Sequence, residues 1–536
     1  MIELLLLFFL FYCYSEKIDL KKNRLDVVKD KLNNVIDSTT AYLLLNNDKM
    51  IGSYGRKKLI NGKVIHLPTE EEIQIWKKSN DYNGILVVPD HLLDSTHLNL
   101  FEQLKVQGVV FYDSNSTHYV SQDYRSSFNP NASEVAWKKY TYPIMFTPTS
   151  IVYFTQNNGY LQIEDEMLAD GDSEICLRRG MCQPIGGQSL VGRLVENHLS
   201  ESILLSAQLD GVSIFRDATP AHEQIVSGEA TLLSVLETLR PLMKGAKKGI
   251  DFGFFEGETF GNMGSKTFSK SNDSYSHIIH FGPLGLTEGS LFVYSKDQVP
   301  QDIHKRIVNK TNEYPHCALS SFKNGIKMYL SDHEELYKGN IGTHQDYLPY
   351  ITELCDNIES ITQIILQIIF NRSDIETLQK ELEIQYDCEK YHRLYHCLAY
   401  DLSCDYFNET IGIIQGNSNS YSSIYRETKI TPRSKAIHDY LNRIVTMGVC
   451  KEECDTSIKN GTVTYLGSYG SDIDISKNKV VGSSGDAWTE SNWKQVKLTF
   501  YQPRTFGDVT LITLGVGLTL MTIIAFFTVI FKLNLL

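Results

Sequence analysis

Hydrophobic positions are unevenly spaced along this chain, and their spacing defines its elements. Between residues 200 and 260 two continuous apolar runs, Ile203 to Ala207 and Ile250 to Phe255, flank a stretch from Ser227 to Leu239 in which Leu232, Leu233, Leu236 and Leu239 follow one helical face. Short unbroken runs predict buried strands, and a 3.6-residue stripe predicts a helix packed on them. Strand, helix, strand is a βαβ unit, which calls for a parallel or mixed sheet covered by helices. Farther on, Ile351, Leu354, Ile358, Ile361, Ile365 and Ile368 repeat at steps of three and four, a second core-facing helix. Nearer the start, GILVVPD (84 to 90) and GVVFYDS (108 to 114) predict strands, and the polar stretch Glu70 to Lys78 predicts a helix. The fold class is therefore α/β with two lobes, a small one over 16–190 and a large one with its stalk over 191–504, divided at the loop-rich CLRRGMCQPIGG.

Two further apolar segments fit neither lobe. Leu4 to Phe11 is too short to span a bilayer, and Cys13-Tyr14-Ser15 follows it with a small-x-small pattern, so residues 1–15 are expected to be a secretory signal peptide. Val509 to Phe531 carries no charge and is long enough for ~30 Å of hydrocarbon at ~1.5 Å per residue, so one C-terminal transmembrane helix is expected over 509–531. Lys532 follows it, which places the tail 532–536 in the cytosol and makes the chain a single-pass type I membrane protein of the secretory pathway, in the endoplasmic reticulum, Golgi, plasma membrane and endosomes. Within the span Gly515 and Gly517, with Thr513 and Thr519, form a small-residue surface on which a neighbouring helix could pack; a helix facing lipid all round is the alternative.

Charge and cysteine usage agree with a luminal ectodomain. Asp and Glu number 64 against 51 Lys and Arg, a net charge of −13 without a basic stripe, so nucleic acid is not an expected partner. Ten cysteines, with Cys176 near Cys182 and Cys450 near Cys454, point to small disulfide loops rather than to metal, and the remaining connectivity stays open. Glycosylation sequons stand at Asn115, Asn131, Asn272, Asn309, Asn371, Asn408 and Asn460.

The candidate chemistry lies where the two central strands end, at AQLDG (207 to 211) and EGETFG (256 to 261), since open α/β sheets bind beyond the carboxyl ends of their strands. Here the chain resembles the co-catalytic zinc aminopeptidase superfamily, with its strand into His-x-Asp, its turn with a bridging Asp, and its Glu-Glu before Gly-x-x-Gly-Ser. The resemblance implies an aminopeptidase-like large lobe in which Glu258 takes the general-base position. It also exposes the losses. Gln208 stands at the first His, Glu223 at the bridging Asp, Thr259 at the second Glu and Gly342 at the last His, so these four are degenerate metal positions. Amide and hydroxyl in place of imidazole and carboxylate bind zinc poorly. No metal and no cofactor are expected, and no residue is expected to be catalytic. His222 and His344 are read as polar residues of a loop and a rim, and SDHEE (331 to 335) as a strand end without a partner.

Three stretches extend the resemblance to the nicastrin family, the large subunits of gamma-secretase: ILLSAQLDGVSIFRDATPAHEQIVSGEATLLSVLETL (203 to 239), FFEGETFGNMGS (254 to 265), and AWTESNWKQVKLTF followed by ITLGVGLTL (487 to 520). Gly261 and Asn262 depart from that family's acidic and aromatic pair, so the chain is similar to a divergent member. The resemblance implies a non-catalytic subunit that gates or recognises type I membrane protein substrates with short ectodomains, with Glu258 as a substrate-contact candidate. The implied partners are presenilin, the anterior-pharynx-defective subunit and the presenilin-enhancer subunit. Trp488 and Trp493 would sit at the membrane junction. An active zinc aminopeptidase with a rewired site and a cell-surface receptor on a peptidase scaffold are the alternatives.

Overall fold

The computed structural model describes residues 33–533 apart from internal stretches, the longest being 48–58, 115–139, 148–158, 297–306 and 334–345. The signal segment, Asn115, Asn131 and Gly342 therefore lie outside the described residues. Two eight-stranded sheets organise the rest. The second sheet runs, edge to edge, Ile307–Lys310, Leu291–Tyr294, Ile326–Ser331, His277–Phe281, Ser202–Gln208, Gly249–Phe255, Gly186–Val195 and Asn460–Tyr469. At its centre Ser202–Gln208 pairs in parallel with Gly249–Phe255, Ile203 opposite Ile250, and on its other side with His277–Phe281. The helix Ser227–Leu239 makes the crossover, and its apolar side chains are buried. Burial on both faces of a parallel sheet is why these strands read as largely apolar, with Ser206 and Asp251 as exceptions. The isoleucine stripe becomes the helix Leu354–Phe370, packed on Ser227–Leu239 in the largest core cluster.

The first sheet runs Asn33–Ile36, Trp493–Tyr501, Tyr160–Met167, Ile60–His66, Ile85–Pro89, Gly108–Tyr112, Ile144–Thr147 and Thr40–Ala41. Its helix Glu70–Ser79 starts on Thr69, whose hydroxyl accepts the Glu72 N–H, with acidic residues in the first turn and Lys77 and Lys78 in the last. Cap and charges both favour that helix. One strand corrects the expected partition: Trp493–Tyr501 does not belong to a stalk of the large lobe but returns to the first sheet, between Asn33–Ile36 and Tyr160–Met167. Leu498 and Phe500 are the reason, since both enter the core beside Leu161 and Ile163.

Disulfides join Cys176 to Cys182, as the sequence suggests, and also Cys355 to Cys388 and Cys397 to Cys404; Cys317 is buried and free. Cys450 and Cys454 face each other in a short antiparallel ladder whose side chains lie outside the description. The chain closes in the helix Phe506–Leu533, described at side-chain level from Gly517 to Phe531. Among the described residues no helix is long and apolar enough to cross a membrane. The described part is nonetheless apolar and exposed, with Leu518, Met521, Ile524, Phe527 and Phe531 all accessible and open space beside Gly517.

The lobes are fastened at one buried carboxylate. Glu490, in the short strand Thr489–Ser491, accepts from Arg216 at 2.7 Å, from the Trp493 indole N–H at 3.0 Å and from the Tyr421 hydroxyl at 3.1 Å. Arg216 also stands over the Trp493 ring, 5.6 Å from its centre. Trp488 and Trp493 are accordingly half-buried between the lobes, the partial burial expected of tryptophan both at a membrane interface and as an interface anchor, and the contacts described are those of an anchor. Removing one partner of a buried ion pair leaves the other uncompensated. We expect Arg216→Ala to lower stability by about 3 kcal/mol in thermal or denaturant melts, with Lys494→Ala, an exposed neighbour, within about 0.5 kcal/mol of the parent.

Candidate functional site

Beyond the carboxyl ends of the central strands, Asp210 sets the geometry. It is fully buried, and its two oxygens accept the backbone N–H groups of Glu258, at 2.8 Å, and Thr259, at 3.0 Å. The Gly-Glu-Thr turn is thereby pinned against the end of strand Ser202–Gln208, with Gly257 at φ 75° where a side chain would strain the backbone. Gln208 closes the arrangement: its amide donates to the Asp210 carbonyl at 2.6 Å and to the Thr259 hydroxyl at 2.7 Å. Two positions that would hold zinc in a peptidase are thus hydrogen-bonded to each other. Their donor set is a neutral amide, its N–H groups already engaged, and a hydroxyl, and it does not fit a zinc ion.

Glu258 is also occupied. Its carboxylate accepts from the Ser265 N–H and the Ser265 hydroxyl, each at 2.8 Å, where the helix Met263–Ser269 begins. A general base needs a free lone pair within reach of a water. This one is 5% exposed and holds a helix end instead. The next turn explains the departure from the family pattern. Gly261 has φ 111°, and a Cβ there would fall on Asp486 Oδ1. Asp486 pairs with Lys266 at 3.2 Å and accepts from Ser471, so an acidic group reaches this place from a distant segment rather than from position 261. Asn262 takes the left-handed conformation and donates to the Ser320 hydroxyl at 2.8 Å. Phe260 packs on Trp488 and Tyr421 at ring separations of 6.0 and 6.4 Å, linking the turn to the lobe junction.

Glu223 stands apart from Gln208, Thr259 and Glu258, on the turn His222–Val226. Asp346 accepts its backbone N–H at 2.9 Å and that of Gln224 at 3.1 Å. Its carboxylate meets His333, which also lies 3.3 Å from Asp332. This corrects the reading of SDHEE, because the strand Ile326–Ser331 ends on the same side of the sheet as Ser202–Gln208 and delivers His333 to Glu223. The sequence signal was available: an apolar run, IKMYL, ends directly before Ser331. His222 behaves as expected of a structural residue, accepting the Leu348 N–H at 3.1 Å inside a cage of Tyr347, Tyr395 and Tyr400. Among the described residues no three His, Cys, Asp or Glu side chains are placed to hold a metal ion.

Comparison with known proteins agrees with this architecture. A family model described as the nicastrin large lobe matches residues 201–284. The chain is 24% identical to nicastrin of Dictyostelium purpureum over 82% of its own length and 85% of that protein. The chain is nicastrin-like. Nicastrin of Arabidopsis thaliana is 26% identical over 32% of this chain and 28% of its own length. The crystal structure of the gamma-secretase component nicastrin superposes with a TM-score of 0.67 at 20% identity, covering 88% of this chain and 100% of that one, which shows a shared fold. The stretch matched as the nicastrin large lobe contains Gln208, Glu223, Glu258 and Thr259.

The interior of this lobe is rich in carboxyl groups. Burial pushes Glu258 up to about 8, against the Ser265 donors, and Glu229 up to about 7, against its partner Arg433. Asp210 and Asp346 rise to about 6, again through burial and against the backbone N–H groups that they accept. Glu223 is raised by burial; burial works against the charge of His333, but Asp332, Glu223 and Asp346 outweigh it and raise that group too. Every one of these groups binds its proton more tightly folded than unfolded, so its contribution is complete below the unfolded pKa and is lost as pH rises through the folded one. Burial lowers His222 to about 4, with Arg433 adding to the effect, and lowers His280 to about 3; their contribution runs the other way, lost as pH falls below the ordinary histidine range. From pH 6.5 upward the histidine contribution fades, and the groups still protonated in the fold, Glu258, Glu223 and Glu229 with His333, outweigh it. We expect the melting temperature to fall between pH 6.5 and 8.5, with a slope of about 1.4 kcal/mol per pH unit for each net proton, and Glu258→Gln to flatten it. A melting temperature flat or rising over that range would contradict the assignment.

Proposed function

We propose that this chain is a non-catalytic subunit of a gamma-secretase-type intramembrane protease, anchored by Phe506–Leu533 and carrying its two lobes in the lumen. The observation that carries the non-catalytic part is the bond between Gln208 and Thr259: with those positions satisfied and Glu258 committed to Ser265, no water is activated at this site. The subunit part rests on likeness to a protein described as a gamma-secretase component. The exposed apolar surface of the terminal helix supports a span across the membrane, and Asn272, Asn309, Asn371, Asn408 and Asn460 are all exposed, as luminal glycosylation requires.

On this reading, proteolysis belongs to presenilin, and the anterior-pharynx-defective and presenilin-enhancer subunits complete the assembly. The ectodomain acts by bulk. A rigid body standing over the membrane clashes with substrates that keep a long luminal domain and admits type I proteins cut to a short stub. Rigidity comes from the Glu490 junction between the lobes, so the excluded volume is a property of the two lobes together.

Purification of the full chain from its native membranes in mild detergent tests the reading. We expect a stoichiometric complex with a multi-pass aspartyl protease and two smaller membrane partners, cleaving short-stub substrates. Recovery of the chain alone, free of any presenilin-like protein, would overturn it.

A further inference from the structure

The two sheets differ in how their edges end. In the first, the terminal strands Asn33–Ile36 and Thr40–Ala41 are joined through residues 37 to 39, so the chain itself holds Ile36 and Thr40 within about 14 Å and brings the two edges toward each other. The second has no such link. Its terminal strands are Ile307–Lys310 at one end and Asn460–Tyr469 at the other, and each pairs on one side only among the described residues. An edge strand presents a row of backbone donors and acceptors that another chain can pair with, and proteins blunt such edges with bulky, charged or covered positions.

Neither edge is blunted by protein charge alone. Asn460–Tyr469 alternates Thr462 and Thr464 outward without a charged side chain in the strand, and Ile307–Lys310 has only Lys310, which lies over the Phe292 ring. Both strands instead carry a sequon with an exposed asparagine, Asn309 in one and Asn460 in the other. The remaining exposed sequons lie off the edges, Asn272 in a turn, Asn371 after the helix Leu354–Phe370 and Asn408 within the helix Asp405–Thr410.

We propose that Asn309 and Asn460 are glycosylated and that their glycans act as edge guards, keeping the large-lobe sheet from pairing strand to strand with another copy of this chain. The inference rests on the luminal reading above. A branched glycan on an edge residue crowds the space beside the edge, where the backbone of an incoming strand would have to lie about 4.8 Å away. Asn371 and Asn408 serve other purposes and make internal controls.

The test uses the full chain, produced in a eukaryotic secretory pathway and purified in detergent. Peptide mass spectrometry after enzymatic deglycosylation reads occupancy at each asparagine. Light scattering on a sizing column then reads self-association of N309Q, N460Q and their combination against a combined N371Q and N408Q control. We expect occupancy at both edge sites, and at least a several-fold larger high-mass fraction for the edge variant than for the control at equal concentration. A general folding defect is separated by Thr464→Lys placed in the N309Q and N460Q background, which restores edge charge without restoring a glycan and should return the chain toward the control profile. Unoccupied Asn309 and Asn460 beside occupied controls would overturn the inference alone, as would an edge variant as monodisperse as the control or one that the lysine does not rescue. Absence of glycan at all sites would instead sink the luminal reading, and this proposal with it.

Discussion

Asp210 is the group on which the large lobe's centre depends. A fully buried carboxylate accepting two consecutive backbone N–H groups fixes both the end of one strand and the turn after its neighbour. Once the turn is pinned, Gln208 reaches Thr259, Glu258 reaches Ser265, and Phe260 is aimed at Trp488. Bonds from a carboxylate to backbone N–H groups are worth more than neutral ones, and leaving the donors unmet would be costly in so dry a place. Asp210 thus serves as a structural clasp.

From that clasp the consequences run to the lobe junction. Trp488, in the segment that also holds Asp486 and Glu490, packs on Phe260, and Glu490 joins Arg216 of the large lobe to Trp493, where the chain re-enters the first sheet. The next described element is the terminal helix Phe506–Leu533. The Gly-Glu-Thr-Phe turn and the lobe junction are therefore consecutive links of one packed path. It gives the Gly-Glu-Thr-Phe turn a structural role that requires no chemistry.

Much of this was legible in the sequence, for a physical reason. Strands buried on both faces and helices with one buried stripe leave unambiguous periodicities, so Ser202–Gln208, Ser227–Leu239, Gly249–Phe255 and Leu354–Phe370 fall where the apolar pattern places them. The strand ends that carry Gln208 and Thr259 were legible as well, because each apolar stretch stops shortly before them. What escaped were pairings set by topology rather than by local pattern. Glu223 finds His333 only because two parallel strands end on the same side of the sheet, and Arg216 finds Glu490 only because the chain crosses back between lobes. The tryptophans of AWTESNW suited a membrane interface and a protein interface equally, since both offer an apolar wall with a hydrogen-bond acceptor; the contact with Glu490 and Arg216 is set by topology, which local pattern does not carry.

The central claim is that Gln208 and Thr259 bond each other and do not form a zinc site. Equilibrating the purified full chain with excess zinc, removing free metal and measuring bound zinc by plasma mass spectrometry tests it most directly. The account predicts well under one bound zinc per chain, unchanged in Glu223→Ala. About two zinc ions per chain, lost on that substitution and accompanied by aminoacyl hydrolysis that depends on Glu258, would contradict it.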